Sequence, residues 1–225
     1  MKHNTINLIL AVSFFAIFFF TGCPLDISIE TEPQNLSNKS IYTINTQADK
    51  PILELVNSFD KTEDDINSRI FDTLEIERSL MKHGFENVKA SSYKTDINSE
   101  TLSITTTVSD NTFPFVKKVI KNGKISQTEI TLSPEILQDL ITKESSIVQK
   151  YADLLMAPCF TGEEISADEY KELVASLYGK QIADELTRGS ITITQTQNGK
   201  SKASIEIPLI EILTLQKEKT YIINK

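Results

Sequence analysis

Histidine and cysteine are scarce in this sequence, and tryptophan is absent. The 225 residues include two histidines and two cysteines, and His83 is the only histidine beyond the first three positions. The sequence therefore has almost no histidines that could form a histidine-rich metal site or a Ser-His-Asp triad. We expect no metal site and no cofactor.

Basic residues are also few relative to acidic ones. Lysine and arginine together number 23 against 31 for aspartate and glutamate, so the formal net charge is −8. Binding to nucleic acid depends largely on lysines and arginines that neutralise phosphates. The acidic balance excludes nucleic acid as a partner, and it gives no attraction to anionic lipid headgroups.

Three short matches resemble the motifs of penicillin-binding proteins and serine β-lactamases. In the order of the S-x-x-K, S-D-N and K-T-G motifs, they are Ser79-x-x-Lys82, Ser109-Asp110-Asn111 and Lys121-Asn122-Gly123. The third match is imperfect, the intervals are too short for a domain that must enclose the site, and Ser79 falls near the end of a predicted helix. We therefore predict no catalytic residue and no enzyme; an enzyme without a recognised motif is a third hypothesis.

What the sequence does contain is a long uncharged run close to its start. Lys2 precedes it, and residues 6–20 read INLILAVSFFAIFFF. A positive start, an apolar run of about 7 to 15 residues and small residues at the cut site are the parts of a secretory signal peptide. The run falls short of the roughly 20 apolar residues that a spanning helix needs. Cleavage is the favoured interpretation, and an uncleaved membrane anchor is an alternative.

The run ends in Thr21-Gly22-Cys23, which resembles the lipobox of bacterial lipoproteins, although Phe20 stands where most of them carry leucine. The resemblance implies cleavage between Gly22 and Cys23, with a diacylglycerol on the sulfur of Cys23 and an acyl chain on its amine. Two or three chains suffice for stable anchoring. The resemblance therefore implies a cell-envelope protein, periplasmic or surface-exposed, that meets the membrane through its lipid. Plain secretion, with Cys23 incidental, is a further alternative.

A lipidated Cys23 leaves Cys159 without a disulfide partner, because the sulfur of Cys23 would be a thioether. That excludes a small disulfide-stapled scaffold. Cys159 stands in the apolar stretch LMAPCF. We expect a buried thiol that behaves as a small hydrophobic side chain, since neighbours that stabilise a thiolate are missing from the sequence around it.

Composition divides the chain into a signal peptide at 1–22, a flexible tether at 23–50 and a single domain at 51–225, with sub-lobes 51–157 and 158–225 as an alternative. The tether is rich in Ser, Thr, Asn and Glu and shows no sustained period. Its expected span is roughly 25 to 30 Å. A short strand at residues 41–44 that docks on the domain is an alternative to a wholly flexible tether.

Helical spacing of apolar residues predicts helices within 51–84, 133–155 and 166–187. Ser133 and Pro134 mark one helix start, and the capping box formed by Ser166 and Glu169 marks another. Alternation at period two predicts strands within 88–93, 101–108, 115–132, 190–197, 203–213 and 220–225.

Two Asn-Gly pairs, at 122–123 and 198–199, predict hairpins, and Pro208 suggests an edge strand or a bulge. Two segments, NGKISQTEITLSPEIL and NGKSKASIEIPLIEIL, agree at both ends. They indicate either a duplicated unit or convergent turn chemistry. The predicted fold is α+β, with antiparallel hairpins and amphipathic helices packed on one face.

These observations favour a non-enzymatic lipoprotein that binds an unidentified protein or serves as an envelope scaffold. The alternative is a module that holds a small or lipidic ligand between sheet and helices. An apolar cavity with convergent polar groups would support the ligand hypothesis. A filled core with an exposed apolar patch would support the protein-binding hypothesis.

Overall fold

The computed structural model describes residues 25–30, 39–49, 73–82, 85–95, 99–109, 115–121, 124–142, 146–197 and 200–224. Within these residues the chain forms nine strands and seven helices. The strands make one sheet of six and one of three. The predicted α+β class is confirmed.

The larger sheet, sheet A, takes strands from both ends of the chain. Its strands are β1 (Leu25–Glu30), β2 (Lys39–Asp49), β3 (Glu86–Lys94), β4 (Ser99–Ser109), β7 (Ser190–Gln197) and β8 (Lys200–Pro208). Their order across the sheet is β3-β4-β2-β1-β7-β8. Every neighbouring pair is antiparallel except β1 and β7, which run parallel. The parallel pair departs from the expected purely antiparallel sheet.

The first strand corrects the prediction of a flexible tether. Residues 25–30 and 39–49 form two neighbouring strands inside the sheet, with Leu25 opposite Thr46 on one side and opposite Ile191 on the other. Leu25, Ile27 and Ile29 are buried, and each alternates with a residue that is not. The alternative, a short strand at residues 41–44, correctly expected a strand there, but the strand spans residues 39–49 and lies in the interior of the sheet.

Burial follows a regular pattern across sheet A. Side chains opposite one another on neighbouring strands share a face. The middle row of the covered face contains one side chain from each strand: Ala90, Ile104, Ile44, Ile27, Ile193 and Ile205. The four inner side chains of this row belong to the core cluster of the described residues, and Ala90 and Ile205 on the two edge strands are partly buried and pack against it. Branched side chains suit such a pleated, buried surface.

The smaller sheet, sheet B, consists of β5 (Val116–Lys121), β6 (Lys124–Leu132) and β9 (Lys219–Asn224), in the order β5-β6-β9. Lys121 pairs with Lys124, which confirms the hairpin around residues 122–123; the two turn residues lie outside the described part. The two sheets meet through polar contacts. Thr128 Oγ1 donates to Gln195 Oε1 at 3.4 Å, and Lys118 Nζ donates to Ser40 Oγ.

Seven helices complete the described fold. They are α1 (Thr73–Lys82), α2 (Pro134–Ile141), α3 (Ser146–Leu155), α4 (Ala157–Thr161), α5 (Ala167–Tyr178), α6 (Lys180–Arg188) and α7 (Leu209–Leu213). The two predicted helix starts are confirmed. Ser133 Oγ accepts from the amide of Ile136 at 3.2 Å, and Ser166 with Glu169 forms the reciprocal capping box.

Helix lengths are the main correction to the sequence interpretation. The predicted helix at 133–155 ends at Ile141 and resumes at Ser146, and the expected break after it contains the short helix α4. The predicted helix at 166–187 divides at Gly179, whose φ of +92° is a conformation that glycine adopts without a steric penalty. Periodicity alone does not reveal such breaks, because the apolar stripe continues across them.

The last predicted hairpin is partly helical. Strand β8 ends at Pro208, and residues 209–213 form helix α7 where a continued strand was expected. Pro208 precedes the helix, and β8 is an edge strand, as the proline indicated. Both echoed segments therefore take the same local form, a hairpin followed by a helix: β5-β6-α2 and β7-β8-α7. Helices predicted before residue 73 lie outside the described residues.

We predict that Ile27→Ala lowers the free energy of unfolding by about 2–4 kcal/mol, because it removes a buried side chain from the middle row and leaves a cavity. Urea unfolding followed by circular dichroism measures this. Ser28→Ala is the matched control, since Ser28 lies on the uncovered face and should change stability by less than about 0.5 kcal/mol. Equal, negligible effects of both changes would restore the tether interpretation.

Candidate functional site

The residues that the sequence selects for lipidation lie outside the described part of the chain. Gly22 and Cys23 precede Leu25, the first residue that the structure describes. What the structure adds is the position of Leu25 at the end of a strand in the interior of sheet A. The lipidation hypothesis therefore stays a prediction.

The residues of the three β-lactamase-like matches lie on separate elements. Ser79 is near the end of helix α1, Ser109 ends β4, and Lys121 ends β5 in the other sheet. Glu163 and Glu164, two adjacent acids that follow helix α4, are both exposed. Within the described residues, no three His, Cys, Asp or Glu side chains are grouped so that they could hold a metal ion.

Cys159 is a buried free thiol, as its apolar neighbours predicted. It is 2% exposed and lies on helix α4. Burial raises the pKa of this thiol to about 12, and the negative charge of Glu135 acts in the same direction. The thiolate is the nucleophilic form of cysteine, so Cys159 is inert near neutral pH.

Sheet A presents a broad polar surface on its uncovered face, which we call the open face. One row across it contains Ser91, Ser103, Asn45, Asp26, Thr192 and Glu206. The next row contains Lys89, Thr105, Thr43, Ser28, Thr194 and Ser204. Every side chain in both rows is partly or fully exposed.

Hydroxyl groups dominate the open face. Among the twelve residues of the two rows, eight are serine or threonine. Two of these side chains bond to one another, since Ser103 Oγ donates to Asn45 Oδ1 at 2.7 Å. Outside the two rows, the hydroxyls of Thr95 and Thr101 are 2.7 Å apart. The open face is therefore polar and carries few charges, and the pairing of the strands keeps its side-chain rows aligned. The sequence carries a signal for this polar face, since isoleucine and threonine alternate in SITITQT. The isoleucines predicted the strand, and the threonines between them mark its polar side.

Both edges of sheet A are poorly suited to pairing with another strand. In β3 the register shifts between Glu86 and Lys89, and Asn87 has a φ of +53°. In β8 the pairing with β7 shifts between Gln195 and Thr196, and the strand ends at Pro208. Bulges, prolines and charged residues protect edges from strand addition.

An open groove of about 650 Å³ lies beside helix α2. It is lined by Phe115, Thr131, Glu135, Ile136, Gln138, Asp139 and Thr142. The amide of Thr131 donates to the carbonyl of Phe115 at 2.9 Å, which fixes one wall. Hydrogen bonds from the Ser133 side chain and from the backbone lower the pKa of Glu135, so its carboxylate is charged at neutral pH.

Helix α7 is tied to sheet B by a polar cluster. Glu211 Oε1 accepts hydrogen bonds from Tyr221 Oη and, at 2.7 Å, from Lys219 Nζ. Burial alone would raise the pKa of Glu211, but these two hydrogen bonds, together with the positive charge of Lys219, outweigh burial and lower the pKa. Burial and the neighbouring carboxylate raise the pKa of Tyr221. The groups satisfy one another, which is typical of a structural clasp.

Exposed apolar side chains occur mainly on helices. Leu173 and Leu177 lie one turn apart on α5 and are 42% and 61% exposed. In the part of the chain that the structure describes, no helix is both long enough and apolar enough to span a membrane.

Comparison with known proteins assigns no family. No protein-family model matches the chain, and no curated protein or solved structure matches it significantly.

We predict that Cys159 reacts at least about a hundredfold more slowly with a disulfide reagent in the folded protein than in urea, because at pH 8 the thiolate is a very small fraction. The rate should rise with pH, since deprotonation produces the reactive form. A time course of absorbance with Ellman's reagent at pH 8 measures both rates. Comparable rates in the folded and unfolded protein would contradict the burial of this thiol.

Proposed function

We propose that this chain is an exported lipoprotein, anchored in a bacterial cell envelope through Cys23, whose domain binds another protein through the open face. The role is non-enzymatic. The observation that carries the proposal is the open face: two continuous rows of partly or fully exposed polar side chains, presented by a sheet whose other face is buried. This surface is polar, unlike the exposed apolar patch that we expected of a protein-binding domain.

The size of the open face is suited to a protein partner. Six strands at about 4.8 Å spacing are roughly 24 Å across, and eight residues of strand are about 27 Å long. The product is roughly 600 Å², of the order of the 800 Å² that each protein contributes to a standard interface. A small ligand would use only part of such a flat surface.

The protected edges also favour recognition through the face. A partner that adds a strand needs a regular row of free backbone groups at an edge. The register shifts in β3 and β8 interrupt that row on both sides of the sheet. The side chains of the open face are therefore the natural contact groups, with hydroxyls as adaptable donors and acceptors.

The groove beside α2 is the basis of a second candidate, the binding of a small molecule. Its lining combines Phe115 and Ile136 with two carboxylates, Glu135 and Asp139. Negative charge at the mouth disfavours fatty acids and anionic lipids and favours a neutral or cationic ligand. Native mass spectrometry of the purified protein distinguishes this candidate, because a bound ligand adds a discrete mass that denaturation removes.

The anchor predicts a defined covalent product. The mature protein should lack residues 1–22 and should carry the mass of two or three acyl chains with glycerol on Cys23. Intact mass spectrometry of the membrane-extracted protein measures this. Cys23→Ala should leave the chain without lipid, since the acylated sulfur is missing. An unmodified Cys23 in a cleaved chain would contradict the anchor and favour plain secretion.

The open face predicts a site-specific partner contact. A photo-crosslinking amino acid in place of Thr105 should give a discrete adduct with one protein in intact cells, because Thr105 is exposed in the second polar row. The same amino acid in place of Glu172, exposed on α5, is the control and should give none. Gel shift followed by mass spectrometry identifies the adduct.

Specificity of this contact is tested within the same row. Thr194→Arg places a long charged side chain three strands from Thr105 and should abolish the adduct, while circular dichroism and the melting temperature stay close to those of the parent. Equal adducts from Thr105 and Glu172, or an adduct that survives Thr194→Arg, would contradict recognition through the open face.

A further inference from the structure

We propose that the end of sheet A at Leu25 stands directly against phospholipid headgroups, so that the lipid anchor orients the domain as well as holding it. This inference rests on the proposed lipidation of Cys23. Its structural basis is the unexpected position of β1, which places the first described residue inside the sheet.

The distance available to the anchor is very short. Leu25 follows Cys23 by two residues, and two residues of extended chain span at most about 7 Å. The flexible tether expected from composition would have allowed roughly 25 to 30 Å. The connection between the lipid and sheet A is therefore too short to let the sheet rotate freely above the bilayer.

The attachment point also lies near the middle of the sheet end. Three strands, β2, β4 and β3, lie on one side of β1, and two, β7 and β8, lie on the other. At about 4.8 Å per strand, the flanks extend roughly 14 Å and 10 Å from the attachment point. Because the sheet extends on both sides of the attachment point, the domain resists tilting toward either edge strand.

The layer that covers the buried side of sheet A is too thick for that side to lie on the bilayer. Helices and sheet B are packed with the buried side of sheet A in one core, and a single helical layer alone is about 10 Å deep. This exceeds the reach of about 7 Å that two residues provide. The remaining arrangements are the end-on one that we propose and one with the open face down. The two central rows of the open face carry Asp26 and Glu206 beside their hydroxyls and contain no apolar side chain. Two apolar side chains of this face are isolated: Ile41 lies at the end opposite Leu25, and the exposed Tyr93 lies at the Leu25 end, where the end-on arrangement brings it to the headgroups.

In the end-on arrangement the two ends of sheet A lie at different heights. Lys94 pairs with Glu100, close to the pairing of Asp49 with Ser99 at the Leu25 end. Lys200 pairs with Gln197 at the opposite end. Strand β2 contains 11 residues between these ends, which corresponds to about 33 Å. The open face then points sideways, parallel to the bilayer, where a partner could reach it.

The test compares Lys94→Cys with Lys200→Cys in the full lipidated protein. Both lysines are exposed and lie on the two edge strands, so neither change should disturb the core. The buried Cys159 stays unlabelled. Each variant receives a fluorophore and is inserted into phosphatidylcholine vesicles that contain a lipid with a nitroxide on its headgroup. We expect strong quenching at position 94 and weak quenching at position 200.

A length control checks the cause. Insertion of about 20 Gly and Ser residues between Pro24 and Leu25 adds a flexible span of roughly 25 Å. It should reduce quenching at position 94 to the level at position 200. Equal quenching of the two probes in the protein without the insertion overturns the orientation and supports the open face lying down. Stronger quenching at position 200 also overturns it.

The outcomes separate this inference from the proposed anchor. Intact mass of the same preparation shows whether Cys23 carries lipid. A chain without lipid overturns both proposals, whereas a lipidated chain with equal quenching overturns the orientation alone. Cys23→Ala with either probe gives the baseline, because that protein should not bind the vesicles.

Discussion

The larger sheet depends on one short strand, β1. It pairs with β2 on one side and with β7 on the other, so it joins the three strands β3-β4-β2 to the hairpin β7-β8. Its three buried side chains, Leu25, Ile27 and Ile29, complete three rows of the core. Burial of each contributes about 1.5–3 kcal/mol. The sum is comparable with the net stability of a typical domain, so without β1 the sheet would divide into two parts.

The same strands that bury isoleucine on one side create the polar surface on the other. Alternation at period two means that each buried residue of β1, β4 or β7 is followed by one that faces the opposite side. In β4, from Thr101 to Ser109, and in β7, from Ser190 to Thr196, every one of those positions is serine or threonine. Threonine keeps the branched shape that strands favour while its hydroxyl stays hydrated. A wide uncovered face therefore costs the sheet little in strand propensity.

Local patterns predicted most of the elements, and they failed where the cause was distant or confined to one residue. The strands at 88–93, 101–108 and 190–197 follow from alternation, and the caps at Ser133 and Ser166 follow from side-chain chemistry. Strand β1 was missed because its six residues lie in a polar stretch and one of its partners, β7, is more than 160 residues away. The division at Gly179 was missed because one backbone angle causes it. For the open face, the alternating threonines were visible, but only the register shows that they form continuous rows.

The position of β1 would also link the proposed export to folding. In an exported chain of this design, residues 25–30 follow the signal segment directly, whereas β7 and β8 come near the end of the sequence. The parallel pair between β1 and β7 closes a loop of more than 160 residues, and such long-range contacts form only after their entropic cost is met. Strands β2, β3 and β4 can pair with one another and with β1 before that point. Strand β1 would thus be attached to the membrane at one end and paired with β2 alone until the hairpin β7-β8 forms and pairs with its other side. With Cys23 lipidated as we propose, anchor and sheet would be a single mechanical unit, because only Pro24 separates Cys23 from Leu25, the first residue of the core.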